Sequence, residues 1–192
     1  VMQVLSDATN VIAEGEVLQL MNMRDASLSE ADYLRVIRSK TAKLFEASAR
    51  LAPILANADA RTEEICATYG QAMGTAFQVI DDVLDYEGKA EELGKNLGDD
   101  LREGKVTLPI ICALKTASEP QKQLIRHAIE QGDAAHLDDI FAIILETGAL
   151  ETARASAMTE AQRAVDAAKQ LPTNEYSAAL LELATGLMGR RS

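Results

Sequence analysis

Apolar residues recur at helical spacing along most of this chain. In residues 1–20 they include Val4, Val11 and Leu18, which repeat every seven positions and would line one face of a helix. No stretch of useful length alternates apolar and polar residues in the way that a half-buried strand does. Ala, Leu, Glu and Gln are abundant, and these residues favour helix over strand. The sequence therefore predicts an all-α fold, a bundle of helices with short connections.

Capping residues and helix breakers predict where the helices begin and end. A second helix is predicted over residues 29–50, with a turn or kink at Pro53. A long helix is predicted over residues 62–88, followed by a loop over residues 88–104. Later helices are predicted to start at Thr107, after Ser118, at Ala134, at Leu150 and after Asn174.

Three glycines lie inside predicted helices, where glycine costs about 1 kcal/mol relative to alanine. Gly15 lies in the first helix, and Gly70 and Gly74 are one turn apart in the long helix. Such a cost is tolerated where another part of the protein must come close to the helix. We therefore expect a neighbouring helix to approach closely at Gly70 and Gly74, and Gly15 to be costly unless something approaches it.

The charge and the cysteines limit the partners and the compartment. The formal net charge is −11 at pH 7, which argues against nucleic acid and anionic membranes, because binders of phosphate backbones carry a basic face. No segment approaches the roughly 20 apolar residues of a membrane span. Cys66 and Cys112 are interpreted as free thiols in a reducing compartment. We expect a cytoplasmic protein with no membrane span and no nucleic-acid partner, which holds phosphorylated ligands locally.

The stretch Phe77–Pro109 is the part of the chain richest in side chains that can bind metal and phosphate. Asp81, Asp82 and Asp85 form the pattern D-D-x-x-D at the end of the long predicted helix. The first and last of them are one turn apart and project to the same side, with the middle one rotated away. Clustered carboxylates repel one another unless a cation neutralises them, and hard oxygen ligands suit Mg²⁺. The pattern is therefore interpreted as a Mg²⁺ site.

Two lysines on the following loop extend this interpretation. Gln78 precedes the aspartates, and Lys95 and Lys105 each follow a glycine directly. Lysines that bind phosphate beside carboxylates that bind Mg²⁺ would make a diphosphate site. A lone D-D-x-x-D is more commonly a solvated acidic face at a helix end, and the clustering weakens that alternative. The sequence has no EF-hand loop, no Walker-type phosphate loop and no nucleophile triad. His127 and His136 lie outside the dense stretch and are interpreted as surface residues.

Several motifs together resemble the trans-prenyl diphosphate synthase family. The pattern F-Q-x-x-D-D-x-x-D over Phe77–Asp85 is similar to the family's second aspartate-rich motif. The patterns G-K-x-x-G-D-D-L over Gly94–Leu101 and G-K-x-T-L-P over Gly104–Pro109 resemble the loop that follows it. The elements G-E-x-x-Q from Gly15 and K-T at Lys40 match two further family elements in the right order. The resemblance extends over essentially the whole chain.

The resemblance implies an isoprenoid-synthase-type helical bundle around a central cavity, a homodimer, and Mg²⁺ as the cofactor. The family elongates an allylic diphosphate, such as farnesyl diphosphate, with isopentenyl diphosphate. Metal helps the allylic diphosphate leave, the double bond of isopentenyl diphosphate attacks the allylic cation, and a proton is lost. The implied product is a long polyprenyl diphosphate, octaprenyl diphosphate, for quinone side chains.

The resemblance also implies roles for single residues. Three carboxylates would bind metal, the first as the main ligand and the others directly or through water: Asp81, Asp82 and Asp85. Six side chains would contact substrate: Lys40, Thr41, Gln78, Lys95, Lys105 and Gln19. The implied catalytic set is Asp81, Lys40 and Lys95. Without the resemblance, Lys40 is interpreted as a solvated lysine within a helix, and Glu16 with Gln19 as a polar pair between helices.

One family element is not found. The first D-D-x-x-D of the family does not occur between Val1 and Asp81. We therefore expect residues 1–192 to be the C-terminal part of a single prenyl synthase domain, inactive alone because it holds half of the metal ligands. A non-catalytic partner subunit and a terpene cyclase of the same fold stay open as alternatives. The retained aspartates and lysines disfavour the first, and the Gly-Lys loops with Lys40-Thr41 disfavour the second. A helical scaffold with an acidic patch is the alternative that needs no resemblance.

Overall fold

The computed structural model describes residues 1–87, 98–132 and 135–189. Within these ranges every regular element is helical, which confirms the all-α prediction. The elements, numbered here in chain order, are α1 (Met2–Met21), α2 (Glu30–Ile37), a π-helical segment (Arg38–Ala42), α3 (Lys43–Leu55), α4 (Ala60–Glu87), α5 (Asp99–Glu103), α6 (Leu108–Thr116), α7 (Glu119–Gln131), α8 (Leu137–Glu146), α9 (Ala149–Ala168) and α10 (Glu175–Met188). In the described part of the chain, no helix has both the length and the apolar composition needed to cross a bilayer.

The second predicted helix differs from the observed one in two ways. Its middle is π-helical over Arg38–Ala42, and the chain continues directly into α3. Pro53 was predicted to open a turn or kink, but it lies inside α3, which ends at Leu55. A proline removes its own N–H from the helix but not its carbonyl, and the carbonyl of Pro53 accepts a hydrogen bond from the N–H of Ala58 at 2.9 Å. The break therefore comes after the proline instead of at it.

The predicted loop over residues 88–104 contains a short helix, α5, in its described part. Gly98 and Gly104 flank α5 with φ angles of 74° and 85°, a left-handed conformation that glycine adopts without steric cost. Other boundaries agree with the capping signals. Ser118 and Gln121 form the reciprocal capping box of α7, and the Asn174 side chain accepts hydrogen bonds from the backbone N–H groups of Tyr176 and Ser177 in α10.

The described chain divides into two compact units. The first contains Val1–Val17, Arg35–Gln78 and the described residues from Ser156 onward. Its core is made by α4, α9 and α10, whose buried side chains are mostly small: Ile65, Tyr69, Ala72, Ala164, Val165, Ala167, Ala168 and Ala184. The small side chains let the helix backbones approach closely. A Cβ on Gly70 would lie 2.8 Å from Glu46 Cα, and a Cβ on Gly74 would lie 2.6 Å from Ala42 Cα, which confirms the close approach expected at these glycines.

The second unit contains Leu18–Leu34 and the described residues of Val79–Ala155. Helices α6, α7 and α8 contact one another, and six of their larger aliphatic side chains are fully buried: Leu108, Ile110, Ile125, Ile129, Ile140 and Ile144. Tyr86 at the end of α4 packs edge-to-face against Phe141 of α8, with ring centroids 5.7 Å apart. Helices α1 and α4 each carry residues of both units, and the single-domain assignment stays a prediction.

Candidate functional site

In the first unit, two of the predicted substrate-binding residues contact each other. The Thr41 hydroxyl donates a hydrogen bond to Gln78 Oε1 at 2.9 Å, which joins the π-helical segment to α4. The two residues are 37 positions apart in the chain. The hydrogen bond brings the two side chains together, and substrate binding by them stays a prediction.

Lys40 lies in the same π-helical segment, which α1 approaches closely. The Nζ atom of Lys40 lies 3.1 Å from Glu16 Oε2. A Cβ on Gly15 would lie 2.6 Å from the backbone nitrogen of Lys40 and 2.9 Å from the carbonyl carbon of Ser39. The backbone that carries Lys40 therefore packs directly against Gly15, and this close approach accounts for a glycine inside the helix. Glu16 pairs with Lys40, whereas Gln19, a predicted cavity residue, is half-buried and belongs to the second unit.

The three aspartates of the motif lie in three different environments on α4. Asp81 is exposed, Asp82 is 4% exposed, and Asp85 is half-buried. Asp82 Oδ2 accepts a hydrogen bond from the Tyr33 hydroxyl at 2.5 Å, and Tyr33 itself is only 3% exposed. Burial, the charge of Asp82 and the hydrogen bond raise the pKa of Tyr33, so the phenol stays protonated and continues to donate. The hydrogen bond from the buried Tyr33 therefore holds the carboxylate of Asp82 in its orientation.

Asp85 anchors the start of α5. The backbone N–H of Asp100 donates to Asp85 Oδ2 at 3.3 Å, and the N–H of Gly98 donates to the backbone carbonyl of Asp85 at 3.0 Å. Burial and the charges of the nearby Asp100 and Asp99 raise the pKa of Asp85 to about 6. The carboxylates of α4 and α5 thus repel one another in a partly desolvated place.

Lys105 follows Gly104 and lies among carboxylates of its own loop. Its Nζ is 3.0 Å from Asp100 Oδ1 and 2.7 Å from Glu103 Oε2, and its side chain is partly buried. Partial burial by itself lowers the pKa of Lys105, but the hydrogen bonds to Glu103 and Asp100 outweigh it, so the pKa is raised. Lys105 is therefore a fixed positive charge beside Asp100. Lys95, the other predicted loop lysine, lies outside the described residues.

The side chains around the aspartate motif are oxygen donors, the type of ligand that Mg²⁺ prefers. Within the residues that the structure describes, no three His, Cys, Asp or Glu side chains converge on a point where a metal ion could sit. Asp85 is nevertheless half-buried beside the carboxylates of α5, where burial first and the charges of Asp100 and Asp99 second raise its pKa, and Asp81 is open to solvent. Such donors fit a divalent cation that takes most of its ligands from water and phosphate oxygens, as Mg²⁺ does. Metal binding by these aspartates stays a prediction.

Sequence patterns did not identify the partners that orient these groups. Tyr33 lies 49 positions before Asp82, and Arg38 lies 122 positions before Glu160, to which it donates a hydrogen bond. Local spacing carries no information about such pairs. The only signal for Asp100 was its place within the loop motif, and its contact with Asp85 depends on how the chain turns back at Gly98.

The buried Tyr33–Asp82 hydrogen bond predicts a measurable loss of stability. Tyr33→Phe leaves a buried carboxylate without this donor, and we expect a decrease of about 2–3 kcal/mol in the free energy of unfolding. Tyr69→Phe is the matched control, because the Tyr69 hydroxyl donates to a neutral acceptor, the Leu180 carbonyl, at 2.9 Å. Its expected loss is about 1 kcal/mol. Urea unfolding of both variants checks the difference in stability. An equal loss would show that the hydrogen bond of Tyr33 to a charged acceptor stabilises the protein no more than that of Tyr69 to a neutral one.

The chain belongs to the polyprenyl synthetase family, whose model matches residues 1–144. That range includes every residue predicted for the site. The family resemblance inferred from the sequence motifs is therefore confirmed.

Among curated relatives, the octaprenyl diphosphate synthase of Haemophilus influenzae is 50% identical over 185 residues, which cover 96% of this chain and 56% of that protein. Among solved structures, a decaprenyl diphosphate synthase from Rhodobacter capsulatus matches with a TM-score of 0.92 and 40% identity. A polyprenyl synthase from Caulobacter crescentus, complexed with calcium and isoprenyl diphosphate, matches with a TM-score of 0.93 and 40% identity. Each of these two matches covers 100% of this chain and 59% of the other. The fold is thus the isoprenoid-synthase helical fold, and the chain spans little more than half the length of these relatives.

Proposed function

We propose that the protein is a trans-prenyltransferase that condenses isopentenyl diphosphate onto an allylic diphosphate and makes a long-chain prenyl diphosphate. The observation that carries the proposal is the composition of α4. This single helix bears Gln78, whose amide oxygen holds Thr41, and then the three motif aspartates. Family membership over residues 1–144 supports the same chemistry.

The allylic diphosphate is the ligand proposed for the lysines and for Thr41. The Lys40 ammonium lies next to Thr41 on the π-helical segment and would neutralise diphosphate oxygens, with Glu16 as its partner when no ligand is bound. The Thr41–Gln78 pair would add hydrogen bonds to the same group. Lys105 would contribute from its loop, and the proposal includes Lys95 and Gln19 on the motif match alone. Their common task is to hold the leaving group and the reacting carbon in one geometry.

Asp81, Asp82 and Asp85 are proposed to hold a divalent cation, Mg²⁺ in the cell. When bound, the cation would neutralise charge on the departing diphosphate. Asp81, the exposed member, is the proposed direct ligand, and Asp82 would keep its orientation through Tyr33. Calcium accompanies isoprenyl diphosphate in the Caulobacter crescentus polyprenyl synthase, which supports a divalent ion beside this kind of ligand.

An octaprenyl product is proposed because the Haemophilus influenzae octaprenyl diphosphate synthase is 50% identical over 96% of this chain. We also propose a homodimer and a cytoplasmic location. Exposed apolar side chains on α1, Met2 and Met21 among them, support a partner surface, and the free thiols Cys66 and Cys112 support a reducing compartment.

A product assay with the full-length protein tests the proposal. Incubated with farnesyl diphosphate, isopentenyl diphosphate and Mg²⁺, the protein is expected to release a diphosphate whose dephosphorylated alcohol chromatographs as octaprenol. Omission of isopentenyl diphosphate is the control and should leave farnesyl diphosphate unchanged. A cyclic hydrocarbon formed from farnesyl diphosphate alone would assign the protein to the terpene cyclases. No turnover by the pure protein, with turnover restored by a second subunit, would assign it to the partner subunits.

A further inference from the structure

A buried carboxylate in the first unit is bound to the segment that carries Lys40 and Thr41. Glu160 of α9 is 8% exposed, and its Oε1 accepts a hydrogen bond from Nη2 of Arg38 at 2.8 Å. Arg38 is the first residue of the π-helical segment. Lys40 and Thr41 follow it within one turn. The element that carries the proposed diphosphate ligands is therefore paired with a buried carboxylate.

The same carboxylate holds a second arginine that is not on this segment. Glu160 Oε2 lies 2.6 Å from Nη1 of Arg163, one turn further along α9, and Arg163 Nη2 donates to Gln71 Oε1 at 3.2 Å. The two arginine side chains are similarly exposed, at 38% for Arg38 and 43% for Arg163. The carboxylate thus makes two ion pairs of similar length, and only one of them involves the π-helical segment.

The π-helical segment is held from three sides. π-Helical geometry is rare, occurs mostly as single turns inside α-helices, and is common at functional sites. α1 reaches the segment at Gly15 and α4 reaches it at Gly74, both at distances that leave no room for a Cβ. Glu160 of α9 holds its first residue through Arg38. Since Nε of Arg38 is buried and has no hydrogen-bond partner in the described part of the chain, the contact with Glu160 carries the orientation of this side chain.

We propose that Glu160 is a positioning residue for diphosphate binding, which acts through Arg38 to fix the π-helical segment so that Lys40 and Thr41 face the ligand together. Glu160 itself does not touch substrate in this proposal. The inference rests on the proposed function, because it concerns the same diphosphate group. It adds α9, a helix that the site motifs do not include, to the machinery that binds the allylic substrate.

Two arginine variants separate this role from a plain contribution to stability. Arg38→Met and Arg163→Met each remove one guanidinium from the same carboxylate and keep an unbranched side chain of similar length. Each leaves Glu160 with one arginine, so neither creates an unpaired buried charge. Only Arg38→Met releases the π-helical segment. A purely structural role predicts equal effects of the two variants on substrate binding.

The measurements use the full-length protein, with the kinetics of both substrates, the melting temperature, and calorimetric binding of inorganic diphosphate with Mg²⁺. Arg38→Met is expected to raise the KM for farnesyl diphosphate and weaken diphosphate binding roughly tenfold, with the KM for isopentenyl diphosphate changed about twofold or less. Arg163→Met is expected to leave all three constants within about twofold. Arg38→Lys should restore most of the affinity, because one N–H donor suffices for the contact with Glu160. In a Lys40→Ala background, Arg38→Met should add little, since the group it positions is gone.

Equal KM values and equal diphosphate affinities for the two methionine variants, at similar melting temperatures, would overturn the inference. The Arg38–Glu160 ion pair would then contribute only to stability. A rise in both KM values together would also overturn it. If Arg38→Met yields no folded protein, Glu160→Gln, which keeps the side-chain volume, is measured against the same expectation for farnesyl diphosphate. An unmodified protein that neither binds diphosphate nor forms product contradicts the proposed function itself, whereas an active protein with equal variants contradicts only the role of Glu160.

Discussion

Asp81→Ala in the full-length protein is expected to lower kcat by about 100- to 1,000-fold, the usual result of removing a group that stabilises developing charge. Asp81 is the exposed member of the aspartate motif on α4. Its carboxylate would be the direct ligand of the cation that neutralises the leaving diphosphate. The fold should survive, because replacement of an exposed helical side chain usually changes stability by about 0.5 kcal/mol or less.

The matched control is Asp138→Ala on α8, which removes an exposed helical aspartate outside the motif. Both variants lose one carboxylate and gain one methyl side chain, so they share any general effect of charge on the protein. Asp138→Ala is expected to keep normal turnover. Steady-state kinetics over a range of Mg²⁺ concentrations make the comparison, and the Asp81 variant should need more Mg²⁺ for half-maximal rate. Turnover near normal in the Asp81 variant would contradict the metal role.

The environments of the motif aspartates refine the interpretation of D-D-x-x-D. The sequence pattern treats the three carboxylates as one set on a helix face. In the structure Asp82 is buried against Tyr33, while Asp85 holds the backbone of Asp100 at the start of α5. Two of the three thus have structural partners inside the protein. Loss of Asp82 should therefore show in both stability and turnover, and loss of Asp81 mainly in turnover.

Helix identity could be predicted from the sequence because it depends on local pattern. The seven-residue repeat of apolar side chains in α1 and the capping residues Ser118 and Asn174 act within a turn or two of themselves. The π-helical segment was not predicted. Its residues, Arg38–Ala42, have no composition that distinguishes them from an α-helix. Gly15 and Gly74 pack against this segment from other helices, and no local sequence window contains such contacts.

The sequence motifs named candidate site residues, which stay predictions, but did not indicate how these residues contact one another. Motif resemblance named Thr41 and Gln78 separately, and the structure shows that they hydrogen-bond to each other. Arg38, in the same segment as Thr41, hydrogen-bonds to Glu160, which lies 122 positions later. A sequence motif contains the groups that contact a ligand, because the chemistry of binding limits the residue types at those positions. Residues that only contact these groups are constrained by packing, which many different sequences can satisfy. The structure is therefore needed to identify which residues contact them.

The glycines of α4 predicted that a neighbouring helix approaches closely, but not which helix it is. The structure identifies it at Gly70 as α3, and the distances determine the expected effect of a substitution on stability. A Cβ at Gly70 would lie 2.8 Å from Phe45 C and 2.8 Å from Glu46 Cα. Both are backbone atoms of α3, so no side-chain rotation can relieve the overlap. Gly70→Ala should gain about 1 kcal/mol of helix propensity and lose more to overpacking, which typically costs 1–3 kcal/mol and rises when backbone must move. We expect a net decrease of about 2 kcal/mol in the free energy of unfolding.

Gly186→Ala on α10 is the control, because it makes the same substitution at a helical glycine whose Cβ position has no atom within 4 Å. With no overlap to oppose it, the propensity term should act alone and raise the free energy of unfolding by up to about 1 kcal/mol. Both glycines belong to the first unit, so urea unfolding of the two variants compares like with like. Changes of opposite sign in the free energy of unfolding would establish that the contact of α4 with α3, and not helix propensity, favours glycine at position 70. A stabilised Gly70→Ala protein would show that α3 can shift away from α4 at little cost, and the π-helical segment that leads into α3 would then be free to shift with it.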